Sequence, residues 1–267
     1  MYDFAYRKPG ALPEAVAMLA ADPDAKPLAG GQTLVPVLKQ RLNRPSALVD
    51  LSGLDLDGIR REGDRIVVGA MATHGAIAAS TEIRAAIPGL AKLAGWIGDT
   101  QVRNWGTIGG SIANNDPSAC HPAAALALGA TIVTDRRAIA ADDYFLGMFT
   151  TALESGELIT AIEFPVPRRS NYEKFRNPAS RYAMAAVFVA DGPAGPRVAV
   201  TGASQGGVFR HTAMERALAA EFSAEAIAST ETSAADMISD IHGSAAYRAH
   251  LVGVMARRAV AGCCNDR

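Results

Sequence analysis

Short apolar runs whose period switches between helix and strand organise this chain. Over residues 13–21, Ala15, Met18, Leu19 and Ala20 share one helical face. Lys26-Pro27-Leu28-Ala29 is strand-like, and beyond it Leu34, Val37, Leu38 and Leu42 recur at i, i+3, i+4 and i+8, a second helical stripe. Pro36 lies in that helix's first turn, where a missing amide costs little. Thr33 stands where a cap belongs.

Further along, residues 47–51 and 65–70 read as strands, and helices are expected over about 81–87 and 89–97 with Pro88 between them. Residues 103–118 are rich in Gly and Asn and are expected to be irregular. An apolar helix over about 122–128 precedes strands at 131–134 and 158–164. The stretch Pro165-Val166-Pro167-Arg168-Arg169-Ser170-Asn171 is the best candidate for a domain boundary. After it, strands at 182–190 and 197–203 flank the turn Asp191-Gly192-Pro193-Ala194-Gly195-Pro196. Helices are expected over 213–220, 223–228 and 245–260.

Composition narrows the function classes. Twenty-six basic and 27 acidic residues with no basic stripe argue against an electrostatic nucleic-acid binder. No run approaches the roughly 20 apolar residues of a membrane span, and the opening residues carry no signal core. Three cysteines are too few for a disulfide framework or a four-cysteine metal site, which suits a cytoplasmic setting. Cys263 and Cys264 read as unpaired thiols at a surface or helix end. The five histidines, His74, His121, His211, His242 and His250, show no metal-ligand spacing and read as surface or capping residues.

The chemistry concentrates in two loops, Ala29-Gly30-Gly31-Gln32-Thr33 and Thr107-Ile108-Gly109-Gly110-Ser111. Paired glycines open the left-handed backbone region and clear away side chains, so successive amides can converge on one anion. Two such loops suit a pyrophosphate. Gln32, Thr33, Ser111 and Asn114 add polar side chains. The spacing fits neither the Rossmann fingerprint nor a phosphate loop ending in Gly-Lys-Ser/Thr.

The segments Pro27-Leu28-Ala29-Gly30-Gly31-Gln32-Thr33-Leu34 and Gly106-Thr107-Ile108-Gly109-Gly110-Ser111-Ile112-Ala113-Asn114-Asn115-Asp116-Pro117 resemble the two flavin-pyrophosphate loops of the FAD-binding medium subunit of molybdenum hydroxylases. That family includes the carbon monoxide and xanthine dehydrogenases. The resemblance runs from Phe4 to about Val260. It implies an α+β fold: a two-piece FAD-binding domain of the vanillyl-alcohol-oxidase (PCMH) type, then a C-terminal three-stranded antiparallel sheet with a helical bundle. The implied limits are 1–170 for the first part, in pieces of about 1–55 and 56–170, and 171–267 for the second.

By the same resemblance, Ala29, Gly30, Gly31, Gln32, Thr33 and Leu34 hold the pyrophosphate together with Thr107, Ile108, Gly109, Gly110 and Ser111. Asn114 and Asp116 complete the second loop's cofactor-binding set. Ile159 lies near the adenine or the ring edge, Tyr182 approaches the isoalloxazine and Lys174 lies close to the flavin. FAD would be bound non-covalently, with the molybdenum cofactor and iron–sulfur clusters in partner subunits. The partners would be a large molybdenum-cofactor subunit and a small iron–sulfur subunit, assembled as a dimer of heterotrimers.

Three positions depart from the family. Gln32 stands where His is common, Cys120 where many relatives have an Asp that contacts the adenosine part, and Arg181 where some have an acidic residue. Arg181 would favour a reduced flavin if it lies close. The rival readings are a stand-alone flavin oxidase of the same fold and a flavin-free assembly scaffold.

Overall fold

Three short strands near the N-terminus form a parallel sheet: β1 (Ala5–Arg7), β2 (Lys26–Leu28) and β3 (Ala47–Asp50), in the order β1-β3-β2. The structure is a computed structural model that describes residues 1–265, and side chains through Cys263. Parallel strands require crossovers, and two helices supply them. They are α1 (Leu12–Ala21) and α2 (Leu34–Lys39). Helix α1 buries Ala15 and Leu19 in a small core with Val49 and Leu158. Helix α2 stops short of the expected stripe, leaving Leu42 72% exposed. Thr33 makes no side-chain cap, because it already has helical backbone angles.

The central part carries a five-stranded antiparallel sheet built on β4 (Ile59–Glu62) and β5 (Arg65–Gly69). Six helices follow: α3 (His74–Ala79), α4 (Thr81–Ala86), α5 (Pro88–Gly95), α6 (Thr100–Trp105), α7 (Ile108–Asn114) and α8 (His121–Leu128). Then come β6 (Thr131–Thr134), β7 (Ala138–Ala140), α9 (Ala141–Tyr144), the small hairpin of β8 (Phe145–Gly147) with β9 (Thr150–Thr151), and β10 (Ile159–Pro165). The sheet order is β4-β5-β10-β6-β7.

Residues 103–118, expected to be irregular, hold the second half of α6 and all of α7. Caps offset their poor helix propensity. The Asp99 carboxylate accepts from the Val102 amide at 2.8 Å, and Thr107 Oγ1 accepts from the Gly110 amide at 3.1 Å.

The last part is a sheet in the order β11-β12-β13-β14: β11 (Arg169–Arg176), β12 (Ala183–Gly192), β13 (Gly195–Thr201) and β14 (Phe209–Arg210). Three long strands match the expectation, and β14 adds a two-residue fourth edge. Strand β11 begins inside the stretch 165–171, the candidate domain boundary. Its Ser170, Asn171 and Tyr172 are buried. Two helices close the chain, α10 (Thr212–Ala220) and α11 (Ala245–Asn265). Residues 223–228 form turns instead of a helix. Of these only Ile227 is buried, too little to offset helix nucleation.

Period-2 alternation gives the sheet two buried faces. Ala186, Phe188 and Ala190 join the central core, while Ala185, Val187 and Val189 pack beneath α10 and α11. Burying a side chain such as Phe188 completely is worth about 2–3 kcal/mol. Cys263 is buried at the end of α11, so it is no surface thiol, and the side chain of Cys264 lies outside the described residues. Among the described residues, no helix is long and apolar enough to cross a membrane.

Candidate flavin site

One cavity of about 660 Å³ opens where the three sheets meet, within the size range of cofactor sites. Its wall contains Ala29 to Leu34, Thr107, Gly109, Gly110, Ser111, Asn114, Asp116, Ile159, Lys174 and Tyr182. Of the residues singled out from sequence, Ile108 alone does not line it. That side chain is fully buried in the central core, because it is the apolar anchor that seats α7.

The first loop is built to donate. Gly31 takes the left-handed φ of +69° that turns the chain between β2 and α2. Among the described residues, the amides of Gly31, Gln32, Thr33 and Leu34 meet no protein acceptor, so four successive N–H groups remain available. The Gln32 side chain donates to the Gly30 carbonyl at 3.2 Å, bracing the turn.

The second loop works differently from the sequence expectation. Its amides are already engaged: Ile108 with the Ala72 carbonyl at 3.0 Å, Gly109 with the Ala70 carbonyl at 2.8 Å, and Ser111 with the Thr107 carbonyl at 3.1 Å. Its glycines serve close approach. A Cβ on Gly109 would lie 2.6 Å from the Ala70 carbonyl oxygen, and one on Gly30 would lie 2.0 Å from that of Trp105. Gly30 therefore lets the first loop meet the turn into the second, and Gly109 seats α7 against Ala70. At Gly110, by contrast, a Cβ would meet Thr107 Oγ1 at 3.0 Å and Ala29 Cβ at 3.8 Å, on the seam between the two loops.

The third wall comes from β11 and the entry to β12. Lys174 is buried, and its ammonium donates to the Trp96 carbonyl at 2.7 Å and to Cys120 Sγ at 3.5 Å. Cys120 is thus placed on the wall, against the lysine. Tyr182 is 54% exposed, and desolvation, followed by Asp116 and Cys120, raises its phenol above the ordinary range. Arg181 also borders the cavity, with a left-handed φ of +62° and its guanidinium 3.4 Å from the Gly98 carbonyl.

Sequence reasoning missed two groups. Glu157 lines the cavity, but its carboxylate is consumed by Arg137 at 2.9 Å, the Thr134 hydroxyl at 2.8 Å and the Glu154 amide at 2.8 Å. Arg137 above all holds it at about 2. His74 and His121, read as surface or capping residues, are buried and paired, with His121 Nε2 3.1 Å from His74 Nδ1. No sequence spacing links positions 47 residues apart. His211 does cap, accepting from the Met214 amide at 3.4 Å. Among the described residues, no cluster of three or more His, Cys, Asp or Glu side chains could hold a metal.

A bank of unused amides, a facing hydroxyl at Ser111 and a buried cation at Lys174 form a donor set suited to an anionic, elongated group, and FAD fits it. The comparisons agree. A family model described as the FAD binding domain in molybdopterin dehydrogenase matches residues 2–167. The chain is 39% identical to the carbon monoxide dehydrogenase medium chain of Afipia carboxidovorans, covering 96% of this chain and 95% of the relative. It is 36% identical to the nicotine 6-hydroxylase medium subunit of Paenarthrobacter nicotinovorans, with 96% and 95% covered. Among solved structures, reconstituted CO dehydrogenase from Oligotropha carboxidovorans superposes with a TM-score of 0.90 at 36% identity, covering 98% of both chains. Quinoline 2-oxidoreductase from Pseudomonas putida 86 gives 0.87 at 29% identity, covering 98% and 97%.

Proposed function

The chain belongs to the FAD-binding medium subunits of the molybdenum hydroxylases, and from that premise we propose that it binds FAD non-covalently in this cavity and relays electrons from a partner's iron–sulfur clusters to an external acceptor. It is an oxidoreductase subunit of the type found in carbon monoxide and xanthine dehydrogenases. The observation that carries the site assignment is convergence. Segments at 29–34, 107–116 and 174–182, far apart in the chain, meet on one cavity.

Bound FAD supplies the exchange of single electrons on one side and electron pairs on the other. The chain's own residues bind and orient it. The amides of Gly31 to Leu34 would hold the pyrophosphate, and Ser111 and Asn114 would offer polar side chains from the opposite loop. Lys174 contributes a fixed positive charge, and Tyr182 presents an aromatic wall.

In this reading residues 1–170 form the PCMH-type part, in pieces of about 1–55 and 56–170, and 171–267 completes the flavin wall. A large molybdenum-cofactor subunit and a small iron–sulfur subunit complete the complex, as a dimer of heterotrimers in the cytoplasm. The relatives' own description as medium chains supports that assembly. So do the three cysteines, too few for an iron–sulfur site within this chain.

An absorption spectrum of the purified chain after incubation with FAD tests the reading. The expected result is a retained flavin band near about 450 nm that small organic donors alone do not bleach. No retained flavin would support a scaffold, and turnover by the isolated chain would support an oxidase. Either outcome overturns the proposal.

A further inference from the structure

Beside the cavity lies a buried imidazole pair that the reading above leaves unused. His74 opens α3 and His121 opens α8, and their ring centroids lie 4.9 Å apart. His121 is fully buried, and only His74 borders the cavity. Burial first, with repulsion from Arg103 on α6, lowers the His74 imidazole to about 4, and burial lowers His121 well below its ordinary value. Both rings are therefore neutral at physiological pH.

Between His121 Nε2 and His74 Nδ1, 3.1 Å apart, one nitrogen donates and the other accepts. If His74 donated, neutral His121 would hold its own proton on Nδ1. Among the described residues that nitrogen is sealed from solvent and meets no partner. A buried N–H without an acceptor is rarer in folded proteins than a buried acceptor without a donor. The bridging proton therefore belongs to His121 Nε2. His74 Nδ1 accepts it, and the proton of His74 sits on Nε2.

That Nε2 has no hydrogen-bond partner among the described residues. A Cβ on Gly106 would come within 2.7 Å of it, and a Cβ on Gly30 would come within 2.8 Å of the Gly106 Cα. The nitrogen thus lies beside the seam where the first glycine loop meets the turn leading into the second.

We propose that His74 is a cofactor-binding residue that donates from Nε2 to an anionic oxygen of the FAD pyrophosphate, and that His121 is the positioning residue that fixes its tautomer. The proposal rests on the FAD reading of the cavity. It adds a donor to the anion site without adding a charge.

Nitrogen-15 spectra of the full chain, labelled at histidine and recorded with and without FAD, test it directly. Both histidines should show the Nε2–H tautomer, and the His74 Nε2 signal should shift when FAD binds. Replacing His121 by Leu should turn His74 into a mixture of tautomers, an effect that loss of packing alone would not produce. His74→Leu should weaken FAD binding about tenfold or more, the worth of one hydrogen bond to a charged group. An Nδ1–H tautomer at His74, or a His74 signal that does not move while the flavin band shows FAD bound, would overturn the inference and leave the cofactor reading standing. Unchanged affinity in a folded His74→Leu chain would also overturn it, and spectra of the unsubstituted chain decide if that variant does not fold. Failure of the unsubstituted chain to take up any FAD would overturn the cofactor reading and this inference together.

Discussion

Gly110 separates binding from folding more cleanly than the other glycines of its loop. Valine at Gly30 or Gly109 should abolish FAD retention, but through collision with the carbonyls of Trp105 and Ala70, so the first loop or α7 would be displaced whether or not FAD is present. Gly110→Ala adds a methyl at the seam facing Ala29, inside a helix where Ala is favoured over Gly by about 1 kcal/mol. The methyl also meets Thr107 Oγ1 at 3.0 Å, and the small shift of that cap offsets the propensity gain, so the thermal midpoint of the flavin-free chain should hold while FAD affinity falls several-fold. Equal affinity would show that this residue does not face the cofactor. A second residue-level effect follows from His74, whose imidazole lies at about 4 in the folded chain against an ordinary 6.5. Between those values the unfolded chain binds the proton first, so stability is fully present above 6.5, falls as pH drops toward 4, and flattens below. The integrated loss is up to about 3 kcal/mol. Urea midpoints of flavin-free protein across that window should fall more steeply than in His74→Leu. The glycine loops were legible in the sequence because their chemistry is local, whereas the histidine pair depends on two helix starts that only the folded chain brings together.

At the scale of elements, β11 is held from both sides through Asn171. A Cβ on Gly89 of α5 would lie 3.0 Å from the Asn171 backbone, and one on Gly262 of α11 would lie 1.9 Å from its side-chain nitrogen. That nitrogen donates to the Ala259 carbonyl at 3.1 Å. Gly262→Ala should therefore displace Asn171, break this buried bond and cost about 2–3 kcal/mol, read from chemical denaturation. Gly253→Ala, in the same helix and 3.6 Å from the nearest flexible side-chain atom, should be neutral or stabilising. Equal effects of the two would remove the close helix–strand fit as the cause. Apolar periodicity found α1, and continuous apolar runs found α8 and β12. It did not find β11, whose buried positions hold Ser170, Asn171 and Tyr172, polar groups that are buried only once both helices cover them. It also missed α6 and α7, where capping overrides composition.

On the scale of the whole molecule, the span matched by the family model ends at residue 167, yet the central core continues through Tyr172, Phe188 and Ala199. A fragment of residues 1–167 should expose that core and lack Lys174 and Tyr182, so it should retain no flavin. The full chain should lose flavin and secondary structure in a single thermal transition. A fragment that binds FAD as tightly as the full chain would show the last hundred residues to be dispensable for the site. The cavity draws on residues 29–34, 107–116 and 174–182, and the sheet that carries the last of these is backed by α11, which ends at residue 265. A ribosome releases a chain from its N-terminus onward, at about 5–20 residues per second. The glycine loops therefore emerge well before the wall they face, and that wall is not backed until the final helix is out. Flavin capture consequently waits for α11: a product truncated or stalled before residue 245 would carry both glycine loops and still be colourless.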